Sequence, residues 1–230
     1  MESFLLYNRC MKAILFDFDG TLSNRYVCVY RMFRHIIEQV MPDADFLEQE
    51  KVVQQCIYWD EYGNQQKTGT FTLLKQYYIS DLDVNYWVKY WRREFCHYME
   101  LMPGAGEVLP ILYKKYKLGI LSNGDSASQH AKIDALHLEK YFPVVIASWD
   151  YGINKPDPEI YRIAAEKLGV DCKDCYFVGD TFMTDIYGAI KAGMHPVWLS
   201  YERRAVSQYP ADMVSSWQEL ASLLIKKEGE

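Results

Sequence analysis

Between residues 107 and 225, short apolar runs alternate with stretches of helical periodicity, and this alternation constrains the fold more than any other feature. Residues 118–121, 144–147, 175–178 and 197–199 are apolar runs of strand length. Residues 107–116, 126–136, 158–168, 185–192 and 217–225 have the spacing of helices. A helix between two strands carries the chain back before the next strand begins, so the strands pair in parallel. The expected core is a doubly wound, three-layer α/β sheet of the Rossmann-like kind.

An earlier apolar run, residues 13–16, must join the same sheet. It is separated from the rest by a segment of different character. Val29, Phe33, Ile36, Ile37 and Val40 recur at helical spacing, as do Tyr86 and Tyr90, with a break between Gly63 and Gly69. The segment is expected to form about four helices. The domain division is then a core of residues 1–23 and 100–230, and an inserted helical cap of residues 24–99.

The bulk chemistry excludes some functions. A formal net charge of -6 over 230 residues does not suit a nucleic-acid surface, which needs clustered cations. No apolar run approaches the roughly 18 residues of a membrane span. Met1–Tyr7 lacks a basic stretch before its apolar residues, so no cleaved signal is expected. The six cysteines (Cys10, Cys28, Cys56, Cys96, Cys172 and Cys175) are scattered, as in reduced proteins of the cytoplasm. A monomer or homodimer is equally compatible.

Four polar sets fall at the carboxyl ends of the expected strands, where open α/β sheets bind ligands. Asp17-Phe18-Asp19-Gly20-Thr21 follows the first strand. Two carboxylates at that spacing can divide labour between attack and proton transfer, and Gly20 permits a sharp turn. Asp-x-Asp alone is also a common acidic turn; the longer string after an apolar strand is far more specific. Ser122-Asn123-Gly124 offers a hydroxyl and backbone N–H groups to phosphate, although such triplets are also ordinary turns. Lys155, within Asn154-Lys155-Pro156, can neutralise a phosphate. Asp180 and Asp185 suit a hard cation such as Mg2+, while Asp185 also suits a helix start.

Taken in order, these sets resemble the haloacid dehalogenase superfamily of hydrolases, in the subfamily with a helical cap between the first and second motifs (phosphoglycolate phosphatase or 5'-nucleotidase-like). The resemblance implies a Mg2+-dependent phosphatase acting on a small phosphomonoester. It implies that Asp17 is the nucleophile forming an aspartyl-phosphate, and that Asp19 is the general acid and base. Lys155 matches the family's lysine. Thr21, Ser122 and Asn123, with Lys155, match its phosphate-binding set. Asp17, the Asp19 carbonyl, Asp180 and Asp185 match its metal ligands. Thr184 departs from an asparagine common in the family. True dehalogenases generally lack an aspartate at the position of Asp19, because halide leaves without a proton. The implied substrates are nucleotides, sugar phosphates or phosphoglycolate-like compounds, over which the cap would close. A phosphomutase resembling beta-phosphoglucomutase is the nearest rival; a non-catalytic phosphate- or metal-binding regulatory protein is another.

Two further features have plainer readings. The aromatics of the insertion, from Tyr58 to Tyr98, suggest base stacking but fit helical core packing better. Cys172-Lys173-Asp174-Cys175 has zinc or redox spacing without a second pair. His195, ahead of Pro196, is expected in an exposed loop.

Overall fold

The computed structural model describes residues 12–63, 65–201 and 211–226; Met1–Tyr7 and Cys10 lie outside them. The described chain divides into two compact units, residues 25–100 and the remainder.

The larger unit contains strands β1 (Ala13–Phe16), β2 (Lys117–Ser122), β3 (Val144–Ala147), β4 (Cys175–Gly179), β5 (His195–Leu199) and β6 (Asp212–Val214). They form one sheet in the order β3-β2-β1-β4-β5-β6, parallel throughout. Among the described residues, the helices of this unit are α5 (Ala105–Tyr113), α6 (Ser126–Ala135), α7 (Pro158–Leu168), α8 (Tyr187–Ala192) and α9 (Trp217–Lys226).

Alternation along β1 separates the two faces. Ala13 and Leu15 pack with Ile160, Tyr161, Ala164 and Leu168 of α7 and with Ala189 of α8. Phe16 turns to the opposite face, where its ring stacks on Trp217 of α9 at 5.5 Å and meets Phe142 edge-on at 6.0 Å. All four residues of β1 are fully buried, which explains why this strand reads as a continuous apolar run. This is the three-layer arrangement that the alternation predicts.

Departures from the expected elements have local causes. β6 has one buried and two partly or fully exposed residues, so its sequence lacks an apolar run. His195 belongs to β5 rather than a loop and is half-buried, its Nε2 3.1 Å from the Lys173 carbonyl oxygen. The helix expected from Asp185 begins instead as a π-helical turn, Phe182–Ile186, before α8.

The smaller unit consists of α1 (Arg25–Val40), α2 (Phe46–Asp60), α3 (Lys67–Tyr77) and α4 (Val84–Glu94), with short 3-10 turns. Cys28, Val29, Met32, Phe33, Ile36 and Ile37 form the buried stripe of α1. Phe33 and Trp91 pack at 4.7 Å, and Trp91 stacks on Phe95 at 4.9 Å. Trp87 and Trp91 are therefore core residues, whereas Tyr58, Tyr62, Tyr77 and Tyr86 are exposed. The break between α2 and α3 starts earlier than the glycines suggest, and Gly69 lies inside α3.

The chain leaves and re-enters the larger unit side by side. Met102 N–H donates to the Leu22 carbonyl at 2.8 Å, and Ser23 bridges to Leu101. Trp217 supports this point from below: its indole N–H donates to the Thr21 carbonyl at 3.2 Å. Trp217→Ala is expected to cost about 3–5 kcal/mol, measured by urea unfolding, because it removes a fully buried ring and this bond together. Trp217→Phe, which keeps a ring against Phe16, should cost clearly less.

Candidate active site

Strand order decides which polar residues meet. β1 lies between β2 and β4, and the connections depart in opposite directions on its two sides, leaving a crevice at the carboxyl ends. Phe16 pairs with Val178, and Asp17 N–H donates to the Val178 carbonyl at 2.9 Å. Asp17 and Asp180 therefore emerge from adjacent strand ends. Ser122, buried at the end of β2, stands on the other side of β1.

Two glycines let the carboxylates approach. Gly20 has φ +93, and a Cβ there would overlap the Asp180 carboxylate. A Cβ on Gly179 would overlap the Asp185 side chain. The DFDGT string thus needs glycine both for its turn and for its neighbour.

Lys155 is the central cation. Its Nζ lies 2.6 Å from Asp17 Oδ1 and 2.8 Å from Asp185 Oδ1, and its side chain is 3% exposed. The lysine that reads as a loop residue is therefore deeply buried. Asn123 fixes its main chain: the amide oxygen accepts from Lys155 N–H at 2.9 Å, and the amide nitrogen donates to the Lys155 carbonyl at 3.2 Å. The Asn123 side chain therefore holds the lysine loop. Ser148 extends the brace, accepting from Gly124 N–H at 3.2 Å and donating to Asn154 Oδ1 at 2.5 Å.

Thr21 stands beside Asp180. It is fully buried and donates to Asp180 Oδ1 at 3.3 Å, so its hydroxyl supports an acidic side chain. Asp185 lies within the π-helical turn, where its Oδ2 accepts from Thr181 N–H at 3.0 Å and its Oδ1 from the Thr184 hydroxyl at 3.3 Å. Helix-end stabilisation and a place in the acidic cluster are thus combined in one residue. Trp198, which carries no motif, donates to the Asp180 carbonyl at 2.8 Å. Asp19 stands apart from the cluster in one respect: Lys132 of α6 lies 2.6 Å from its Oδ2. A lysine on a helix surface is usually solvated, so nothing in the sequence singles Lys132 out.

Asp17, Asp180 and Asp185 each offer an oxygen, all within 4.8 Å of one another. Three carboxylates against the single ammonium of Lys155 leave an excess of negative charge in a buried place. Burial raises Asp17 to about 7, partly opposed by Lys155 and reinforced by Asp185. Burial, then Asp17 and Asp185, push Asp180 well above the usual carboxylate range. Burial alone would lower Lys155, but Asp17 and Asp185 outweigh it and hold the ammonium above its ordinary value. A divalent cation with oxygen preference fits this donor set, because it supplies the missing positive charge. Among the described residues Cys172 and Cys175 belong to no cluster of metal-ligating side chains; Cys175 is buried in β4 and its thiol is pushed up to about 12, chiefly by desolvation.

A family model described as haloacid dehalogenase-like hydrolase matches residues 11–193. A glyceraldehyde 3-phosphate phosphatase of Pyrococcus abyssi is 32% identical over 203 residues, covering 83% of this chain and 82% of the relative. An N-acylneuraminate-9-phosphatase of Mus musculus is 27% identical over 242 residues, covering 93% and 94%. Among solved structures, the HAD-hydrolase YfnB of Bacillus subtilis, bound to magnesium, matches with a TM-score of 0.76 at 21% identity, over 94% of this chain and 99% of that one. At that identity the likeness is one of fold. No helix among the described residues is long and apolar enough to cross a membrane.

The charge imbalance has a measurable consequence. Asp17 holds its proton more tightly in the folded chain than at its ordinary value of 3.8, so its contribution to stability is fullest below about pH 4 and is lost as pH rises through about 7. The difference in Tm between the metal-free protein and Asp17→Asn should therefore fall between about pH 5 and pH 8. Added Mg2+ should raise Tm more at the upper end of that range. Thermal unfolding of both proteins, with and without Mg2+, checks this.

Proposed function

The chain belongs to the haloacid dehalogenase-like hydrolase family, and we propose that it is a Mg2+-dependent phosphatase hydrolysing a small phosphomonoester through an aspartyl-phosphate on Asp17. The observation that carries this reading is the buried contact of Asp17 with Lys155 beside Asp180 and Asp185. A carboxylate held by a cation, at a strand end and two residues from a second carboxylate, is equipped to attack phosphorus.

Lys155 holds Asp17 in place and offsets the repulsion between its carboxylate and an arriving phosphate. Asp17 forms a bond to phosphorus as the bond to the leaving oxygen breaks. Asp19 gives its proton to that oxygen. In the second half, Asp19 takes a proton from water, the water oxygen bonds to phosphorus, and the Asp17–phosphorus bond breaks. Asp17 is regenerated as a carboxylate and Asp19 as an acid. Bound Mg2+, held by Asp17, Asp180, Asp185 and the Asp19 carbonyl, would neutralise the phosphate oxygens. Ser122 is assigned to the phosphate as well, from its place beside Asp17.

Asp19 is also what favours phosphate over halide, since a halide leaving group needs no proton. The substrate class is a small phosphorylated metabolite. The two relatives described above are named for different sugar phosphates, so neither is carried over to this chain.

Phosphate release from p-nitrophenyl phosphate should require Mg2+ and stop in excess chelator. Asp17→Asn should lower it on the order of 10^3-fold or more. Asn123→Ala, which loosens the Lys155 loop, should lower it by roughly 10- to 100-fold. Full turnover by Asp17→Asn, or in chelator, contradicts the reading. A panel of nucleotides, sugar phosphates and phosphoglycolate then ranks the leaving groups.

A further inference from the structure

Asp19 has a cation of its own. The Lys132 ammonium is 2.6 Å from Asp19 Oδ2, with side-chain exposures of 12% for the lysine and 22% for the aspartate. The same ammonium stands 5.7 Å from the centre of the Phe18 ring, and Phe18 is fully buried between the two aspartates. Lys132 therefore packs against the first motif as well as pairing with it.

The helix that carries it is anchored. Asp125 caps α6, its side chain accepting from Ser128 N–H at 2.9 Å. Gln129, one turn before Lys132 and 3% exposed, donates to the Asn123 carbonyl at 3.4 Å. One face of α6 is thus tied to the loop after β2 through Gln129 and to the loop after β1 through Lys132. Asn123 in turn holds Lys155. A lysine on such a support can orient its partner, whereas an exposed surface pair contributes little.

We propose that Lys132 is a positioning residue that fixes the Asp19 carboxyl for proton exchange. The proposal rests on Asp19 being the acid–base group of the phosphatase reading. A carboxylic acid has one hydroxyl oxygen and one carbonyl oxygen, and an ammonium can only donate. Lys132 therefore takes Oδ2 as its acceptor, which places the transferable proton on Oδ1. Oδ1 gives that proton to the leaving oxygen as the substrate's P–O bond breaks, and recovers one from water as the Asp17–phosphorus bond breaks. Lys132 keeps its own protons throughout and touches no reacting atom.

The readout is a leaving-group ratio. p-Nitrophenyl phosphate expels a stabilised phenolate and needs little proton donation; benzyl phosphate, similar in shape, expels an alkoxide that needs a proton. Lys132→Met should lower kcat/KM for benzyl phosphate at least ~10-fold more than for p-nitrophenyl phosphate. Lys132→Arg, which retains a cationic donor, should recover part of that difference. In an Asp19→Ala background, adding Lys132→Met should leave the ratio unchanged, because the lysine has lost the group it orients. Partial misfolding lowers both substrates alike and leaves the ratio intact. Equal losses for both substrates, no loss, or a changed ratio in the Asp19→Ala background overturns the proposal. Turnover by Asp17→Asn would instead sink the phosphatase reading beneath it.

Discussion

One ammonium group shared between two buried carboxylates holds the site together. Lys155 can be buried because Asp17 and Asp185 compensate its charge, and they can be buried together because it stands between them. Removing Lys155 leaves two buried carboxylates with no cation between them, whereas removing either aspartate leaves a one-to-one pair. The surroundings serve this arrangement. Asn123 holds the lysine's backbone at both its N–H and its carbonyl, and Tyr161, buried in α7, donates its hydroxyl to the Thr184 carbonyl beside Asp185. The fold's contribution is to bring residues 17, 155 and 185 to one place from three separate strand ends.

The same cluster explains why a metal belongs there. Lys155 answers only part of the negative charge, and the consequence is visible in Asp17 and Asp180, both raised by burial and by their acidic neighbours. A site that resists full ionisation by itself, yet offers three oxygens within 4.8 Å, is suited to a small divalent ion. Catalysis and metal affinity are in this sense one electrostatic problem, solved by the same side chains.

Much of this was legible in the sequence because it depends on local pattern. The fully buried β1 appears as an unbroken apolar run, and the alternation after residue 104 fixes a parallel sheet. The aspartates could be located because they follow strand ends. What pattern cannot supply is the direction of a side chain. The Thr21 hydroxyl faces Asp180 and the Asn123 amide faces the Lys155 backbone, contacts that no local pattern announces. Lys132 and Trp198 were invisible because each acts across a long sequence separation from an element without a motif. β6 leaves no apolar run in the sequence because only Val214 of its three residues is buried.

The central claim is that Asp17 carries the phosphoryl group. The most direct test is to quench the protein during turnover of p-nitrophenyl phosphate with Mg2+, reduce with borohydride, and sequence the peptides by mass spectrometry. An acyl phosphate is reduced to an alcohol, whereas a free carboxylate is not. The account predicts reduction at Asp17 that is absent without substrate. Turnover with no reduction at Asp17, or with reduction at a different carboxylate, would contradict it.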